Sequence, residues 1–211
     1  MTTSRVAAPH PVLLTRARRL EHVTIAWNAL EAAVALVAGA LSGSIALMGF
    51  GWDSVIETAS AAILLWHLRI EPEPASREHK ERQTQRLLAV CFFLLAVYVT
   101  VQSVRALWTR AQPERSVPGI AIAIAAIIVM PLLAQAKRRV ARELSSGALH
   151  SDSRQADFCA WLSAILLAGL LLNWLLGWWW ADACAALVMA PIIAREAVQN
   201  WRGKRCACMD I

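Results

Sequence analysis

The stretch GFGWDSVIETAS, residues 49–60, carries two carboxylates, Asp53 and Glu57, inside an apolar run that extends over 45–66. The solvent around that run decides the fold. Of 211 residues, 58% are hydrophobic, the mean hydropathy is +0.48, and the apolar residues gather in blocks instead of alternating through the chain. Six blocks are long enough to cross about 30 Å of hydrocarbon at about 1.5 Å per residue: 23–41, 45–66, 87–104, 117–136, 158–176 and 178–194. The expected fold class is an all-α membrane protein, with six transmembrane helices in the lipid bilayer. The last two blocks run together through NWLLGWWW, and a fused span would be too long. A break is therefore expected near Gly177, with Trp174, Trp178, Trp179 and Trp180 at the headgroup level.

A net charge of +6 raises the question of nucleic acid, but the positions of the basic residues answer it. Of 21 Lys and Arg residues, all but Arg105, Arg110 and Arg115 fall in the amino-terminal segment, in the loops after the second and fourth blocks, or at the carboxyl end. By the positive-inside rule both termini are expected in the cytoplasm, and nucleic acid is not an expected partner. The expected division is a cytoplasmic N-terminal segment over 1–22, a six-helix transmembrane transporter domain over 23–199 and a short cytoplasmic tail over 200–211. The first twenty residues are polar and Arg-rich, so the first apolar segment is expected to remain as a helix and not to be cleaved as a signal peptide. The charged segment 69–86, with Pro72 and Pro74, reads as a solvated loop or a helix extension. The five cysteines offer no disulfide framework: Cys91, Cys159 and Cys184 fall in spans, and Cys206 and Cys208 on the reducing side. The setting expected for such a chain is the cell (inner) membrane.

An ionised Asp at the centre of a spanning helix costs about 2.5–3.5 kcal/mol, and is normally kept only where it faces protein or water. Asp53 and Glu57 are four apart, on one helix face with about 6 Å of rise between them, and make half of a cation site. The competing explanation is a cap or hydrogen bond to a neighbouring helix. Other spans offer the second half. In WNALEAA of the first helix, Asn28 and Glu31 are three apart; in SDSRQADFCAWLSA of the fifth, Ser153 and Asp157 are four apart. Counted by helix rise, Glu31, Asp53 and Glu57 lie about 15, 12 and 18 Å from the outer ends of their helices, and Asp157 about 24 Å from Asn173. The candidate metal-ligating set is Asp53, Glu57, Asp157, Glu31, Ser153 and Asn28. A divalent cation, or protons in its absence, would neutralise these acids, and competition between the two suggests coupled antiport. Five scattered histidines and no nucleophile motif argue against an enzyme, and no prosthetic group is expected.

At these residues the chain resembles the cation diffusion facilitators. SGSIALMGFGWDSVIETAS is similar to that family's second helix, in which a D-S-x-x-D core supplies two metal ligands; ADFCAWLSAILLAGLLL and WADACAALVMAPIIAREAV are similar to its fifth and sixth helices. The resemblance covers about residues 20–200. It implies six helices with both termini inside, and outward transport of a divalent cation: zinc first, with cadmium, cobalt or manganese as alternatives. Glu57 stands where the family has Asp, and Ser153 where it has His or Asp, so Glu31 is a candidate replacement ligand. An alternative register puts His150 on the family's His, but Arg154 then falls on its Asp, which a cation site does not tolerate. An all-oxygen site would lean toward manganese or magnesium. The family's usual carboxyl-terminal cytoplasmic domain and its His-rich loop are not in this sequence, which implies a short, atypical member and a homodimer, if one forms, through the transmembrane helices.

Other signals have plainer readings. Cys206 and Cys208, followed by Met209, read as incidental thiols of a tail, and His22, His67, His79 and His150 as interfacial or solvated. Asp182 reads as an N-cap or first-turn acid. Pro131 and Pro191 read as kinks in the fourth and sixth helices. Two other functions stay open: a proton-coupled exporter of organic cations, using Glu31 and tryptophan rings, and a non-transporting membrane regulator.

Overall fold

The computed structural model describes residues 11–69, 74–144 and 147–202, and these form six helices with no strand. They are α1 (Pro11–Ser42), α2 (Ile45–Arg69), α3 (Pro74–Thr109), α4 (Val117–Glu143), α5 (Gly147–Leu176) and α6 (Ala181–Trp201). Cys206, Cys208 and Met209 lie outside the described residues, as do the side chains of His67 and His79.

Five of the expected spans lie wholly within their own helices and the sixth, 178–194, begins three residues before α6, but the helices are longer than the apolar blocks. α1 passes through Arg16–Glu21 before it reaches the first block. α3 likewise takes in 74–86, so that part of the charged segment is a helix extension and not a loop. Hydropathy marks the part of a helix that meets lipid, whereas Lys, Arg, Glu and Gln propagate the backbone beyond it. The break at Gly177 is present: its φ is +65°, a left-handed value that glycine adopts without strain, and residues 177–180 turn the chain into α6. Trp178 and Trp180 stack there with ring centroids 4.9 Å apart, and the Arg115 guanidinium lies 6.0 Å over Trp174. Pro131 and Pro191 both sit inside helices that continue through them.

Four of the helices hold stretches apolar and long enough to cross a membrane on their own merits: 12–42, 83–109, 117–143 and 152–176. The other two, α2 and α6, are interrupted by charge, α2 by Asp53 and Glu57, and α6 by Asp182, Arg195 and Glu196. Both are sheltered by neighbours. α2 touches α1, α3, α5 and α6, while α6 packs mainly on α3 and also on α5. Around them Phe50, Phe92, Leu162, Leu166 and Met189 are fully buried, and alanines fill much of the remaining contact. Small residues let helices approach where lipid supplies no hydrophobic drive between them. At Gly169 a Cβ would stand 2.5 Å from that of Ala185, so α5 and α6 meet through that glycine. Leu30, Val37, Leu94, Ile128, Leu132 and Leu175 point outward as an apolar surface suited to acyl chains.

One end of the bundle is pinned by polar contacts. Ser116 caps α4 by accepting from the Gly119 N–H at 3.1 Å, Glu114 donates its N–H to the Ser42 carbonyl at 2.8 Å, and Asn173 Nδ2 donates to the Pro113 carbonyl at 3.1 Å. Asp182 stays in the first turn of α6, yet its carboxylate serves another helix. It accepts from Ser44 Oγ at 2.5 Å and from the Ile45 N–H at 2.8 Å, and so caps α2.

Candidate metal centre

α2 presents Asp53 and Glu57 to the interior one turn apart, and both are buried, at 0% and 4% exposure. Both oxygens of Asp53 and Oε1 of Glu57 have no hydrogen-bond partner. Glu57 Oε2 accepts from Asn28 Nδ2 of α1 at 3.0 Å. One turn along α1, Glu31 is equally buried, with neither oxygen bonded, and the Asp53 carboxylate stands close enough for its charge to act on Glu31. Glu196 of α6 adds further negative charge near Asp53. The α1 side of this interior is a polar stripe at helical spacing: Glu21, Thr24, Asn28 and Glu31, all buried. Membrane acids that merely capped or bridged helices would show their partners; these oxygens show almost none.

α5 supplies a residue that the sequence reading left among the span cysteines. The thiol of Cys159 is fully buried, and a ligand atom from each of Asp53, Glu57 and Cys159 lies within 4.8 Å of the other two. A tetrahedral shell with bonds of about 2.0–2.3 Å sets its ligand atoms about 3.3–3.8 Å apart, so a small contraction brings the three onto one ion. Among the described residues this is the one group of three or more His, Cys, Asp or Glu side chains so arranged.

Of the six residues expected to hold metal, the structure brings together Asp53, Glu57, Glu31 and Asn28, while Asp157 and Ser153 each bond to another group. Asp157 is about one-third exposed and accepts from Arg138 Nη2 of α4 at 2.6 Å. Ser153 is buried, but its hydroxyl donates to the His150 carbonyl at 2.7 Å. For Asp157 the reason is rotation about the α5 axis. Its buried face runs through Ser153, Ala156, Cys159, Leu162 and Leu166, and Asp157, one residue past Ala156, is turned about 100° away toward α4. That spacing is the sequence signal that would have found Cys159.

The comparison with known proteins agrees with this architecture. The cation efflux transmembrane domain matches residues 22–202, most of the chain, and the protein belongs to that family. An uncharacterized transporter of Synechocystis sp. is 29% identical over 191 residues, which are 88% of this chain and 58% of the relative. A cation-efflux pump FieF of Shewanella oneidensis is 25% identical over 170 residues, 78% of this chain and 57% of the pump. The FieF pump of Salmonella typhi is 25% identical over 192 residues, 88% of this chain and 64% of the pump. The chain thus spans about three fifths of the length of these curated relatives.

Proposed function

We propose that this protein carries a divalent metal cation out of the cytoplasm in exchange for protons, with the cation held by Asp53, Glu57 and Cys159. Glu31 stands beside them as a further carboxylate, and Asn28 orients Glu57. Asp157 and Ser153 are left outside the site. The observation that carries this reading is the set of buried carboxylate oxygens of Asp53, Glu31 and Glu57 that lack partners, with the Cys159 thiol grouped against Asp53 and Glu57. An uncompensated charge of this kind is costly at membrane depth, and a bound cation or a proton removes the cost.

The thiol changes the reading of cargo. Carboxylates alone suit hard ions, whereas two carboxylates with one thiolate suit zinc and cadmium better than magnesium. Zinc is therefore the proposed cargo. The family match supports cation efflux as the class, and the placement of the basic residues supports both termini on the cytoplasmic side of a cell membrane.

The test is flux into proteoliposomes under an imposed pH gradient, with zinc, cadmium, manganese, cobalt and magnesium supplied in turn. Zinc and cadmium should be carried fastest, and an uncoupler should stop both. Metal flux indifferent to the uncoupler would remove the antiport, and no flux of any of the five would remove the transport reading.

A further inference from the structure

The bundle buries a second ionic group, for which the transport reading has no role, and the inference drawn from it rests on that reading. Lys137 of α4 is 1% exposed. Its Nζ donates to Glu21 Oε2 of α1 at 3.3 Å and to Asp152 Oδ2 of α5. Three helices thus converge on one ammonium. The group is not self-contained, because Glu21 Oε1 is buried without a partner. Beside it lies a small cavity whose walls include Thr24, Asn28, Glu57, Lys137, Asp152 and Gln155. Three of the lining residues, Thr24, Asn28 and Glu57, each have a buried oxygen without a partner (Oγ1, Oδ1 and Oε1), and their exposures are 4%, 1% and 4%. The cavity therefore joins the Lys137 group to Glu57, and its lining residues carry unsatisfied oxygens of the kind that ligate a metal ion, with the unpartnered Gln155 Nε2 among them.

We infer that Glu21 and Asp152 form a loading site for the transported divalent cation, in which the Lys137 ammonium stands in for the ion until it arrives and is displaced by it. Charge favours the exchange. Two carboxylates with one ammonium retain a net charge of about −1, whereas a divalent ion in its place neutralises them; ion and ammonium repel each other, so they alternate. A lysine suits this role because its charge is a point on a flexible stem of four carbons. The released ion then has Thr24 and Asn28 on its way to Glu57, and a monovalent ion gains nothing by displacing a charge equal to its own.

Initial rates in proteoliposomes of the full chain, for zinc and, in a second arm, manganese, give KM and kcat for the native protein and for Glu21→Gln, Asp152→Asn, Lys137→Met and Lys137→Arg. Glu21→Gln and Asp152→Asn should each raise KM about tenfold, with kcat changed less. Lys137→Met should lower KM. Lys137→Arg should raise it, because a bidentate guanidinium is harder to displace, whereas a merely structural ammonium would be rescued by arginine with KM unchanged. Should Lys137→Met fail to fold, Asp152→Asn and Lys137→Arg still decide. An unchanged KM in both acid variants, with native flux present, overturns the loading site and leaves the transport reading intact; a native protein without flux removes both.

Discussion

The Asn28 amide donates to Glu57 Oε2 at 3.0 Å, a contact between α1 and α2 that leaves the other oxygen of this glutamate, which neighbours Asp53 and Cys159, without a partner. A carboxylate held by one oxygen keeps its second lone-pair face toward an ion. Asn28→Ala should lower metal affinity about 10–100-fold, as loss of a partner that orients a ligand does, while the helices stay assembled. Titration of zinc into the purified protein measures this, and an unchanged affinity would mean that Asn28 only packs.

In the proposed site Cys159 is the soft ligand, and with it the preference among metals should change. Cys159→Ser replaces a soft ligand by a hard, weaker one, so zinc and cadmium flux should fall about tenfold or more relative to manganese flux. Competition between zinc and manganese in one assay reads the ratio directly, and equal loss for all ions would point to a packing role for the thiol.

Asp157, expected from its sequence position to hold metal, is tied to Arg138 at a partly exposed site. Such pairs contribute about 0–1 kcal/mol. Asp157→Asn should leave zinc flux within about twofold of native, and its loss would return Asp157 to the site.

Asp182 joins α6 to the start of α2 by its bonds to Ser44 and Ile45. Asp182→Ala removes a buried acceptor from three donors, the third being the Ala46 N–H at 3.4 Å, and should cost about 1–3 kcal/mol. Thermal unfolding in detergent should show a lower midpoint for this variant, and KM for zinc should not move in the protein that remains folded.

Much of this was legible in the sequence. Asp53 and Glu57 stood out because an acid in an apolar block is costly, and the break at Gly177 because one span cannot hold 37 residues. Helix ends were less legible, since charged residues prolong α1 and α3 without changing their lipid contact. Depth along α5 was counted but direction around it was not, so Asp157, which pairs with Arg138, was expected beside the acids and the buried Cys159, which lies beside them, was not. Lys137 was hidden for another reason. It opens the run Lys137–Arg138–Arg139, which reads as a cytoplasmic loop, and its partner Glu21 is 116 residues away in sequence. Only the packing of α1 against α4 and of α4 against α5 shows that the first basic residue of that run turns inward.

The most direct test of the centre is zinc flux in proteoliposomes with Asp53→Ala and Glu57→Gln beside the native chain and Glu31→Gln. The account requires flux near zero in the first two, with Glu31→Gln reduced but active. Zinc flux that survives Asp53→Ala, or a protein whose only lesion comes from Glu31→Gln, would contradict it.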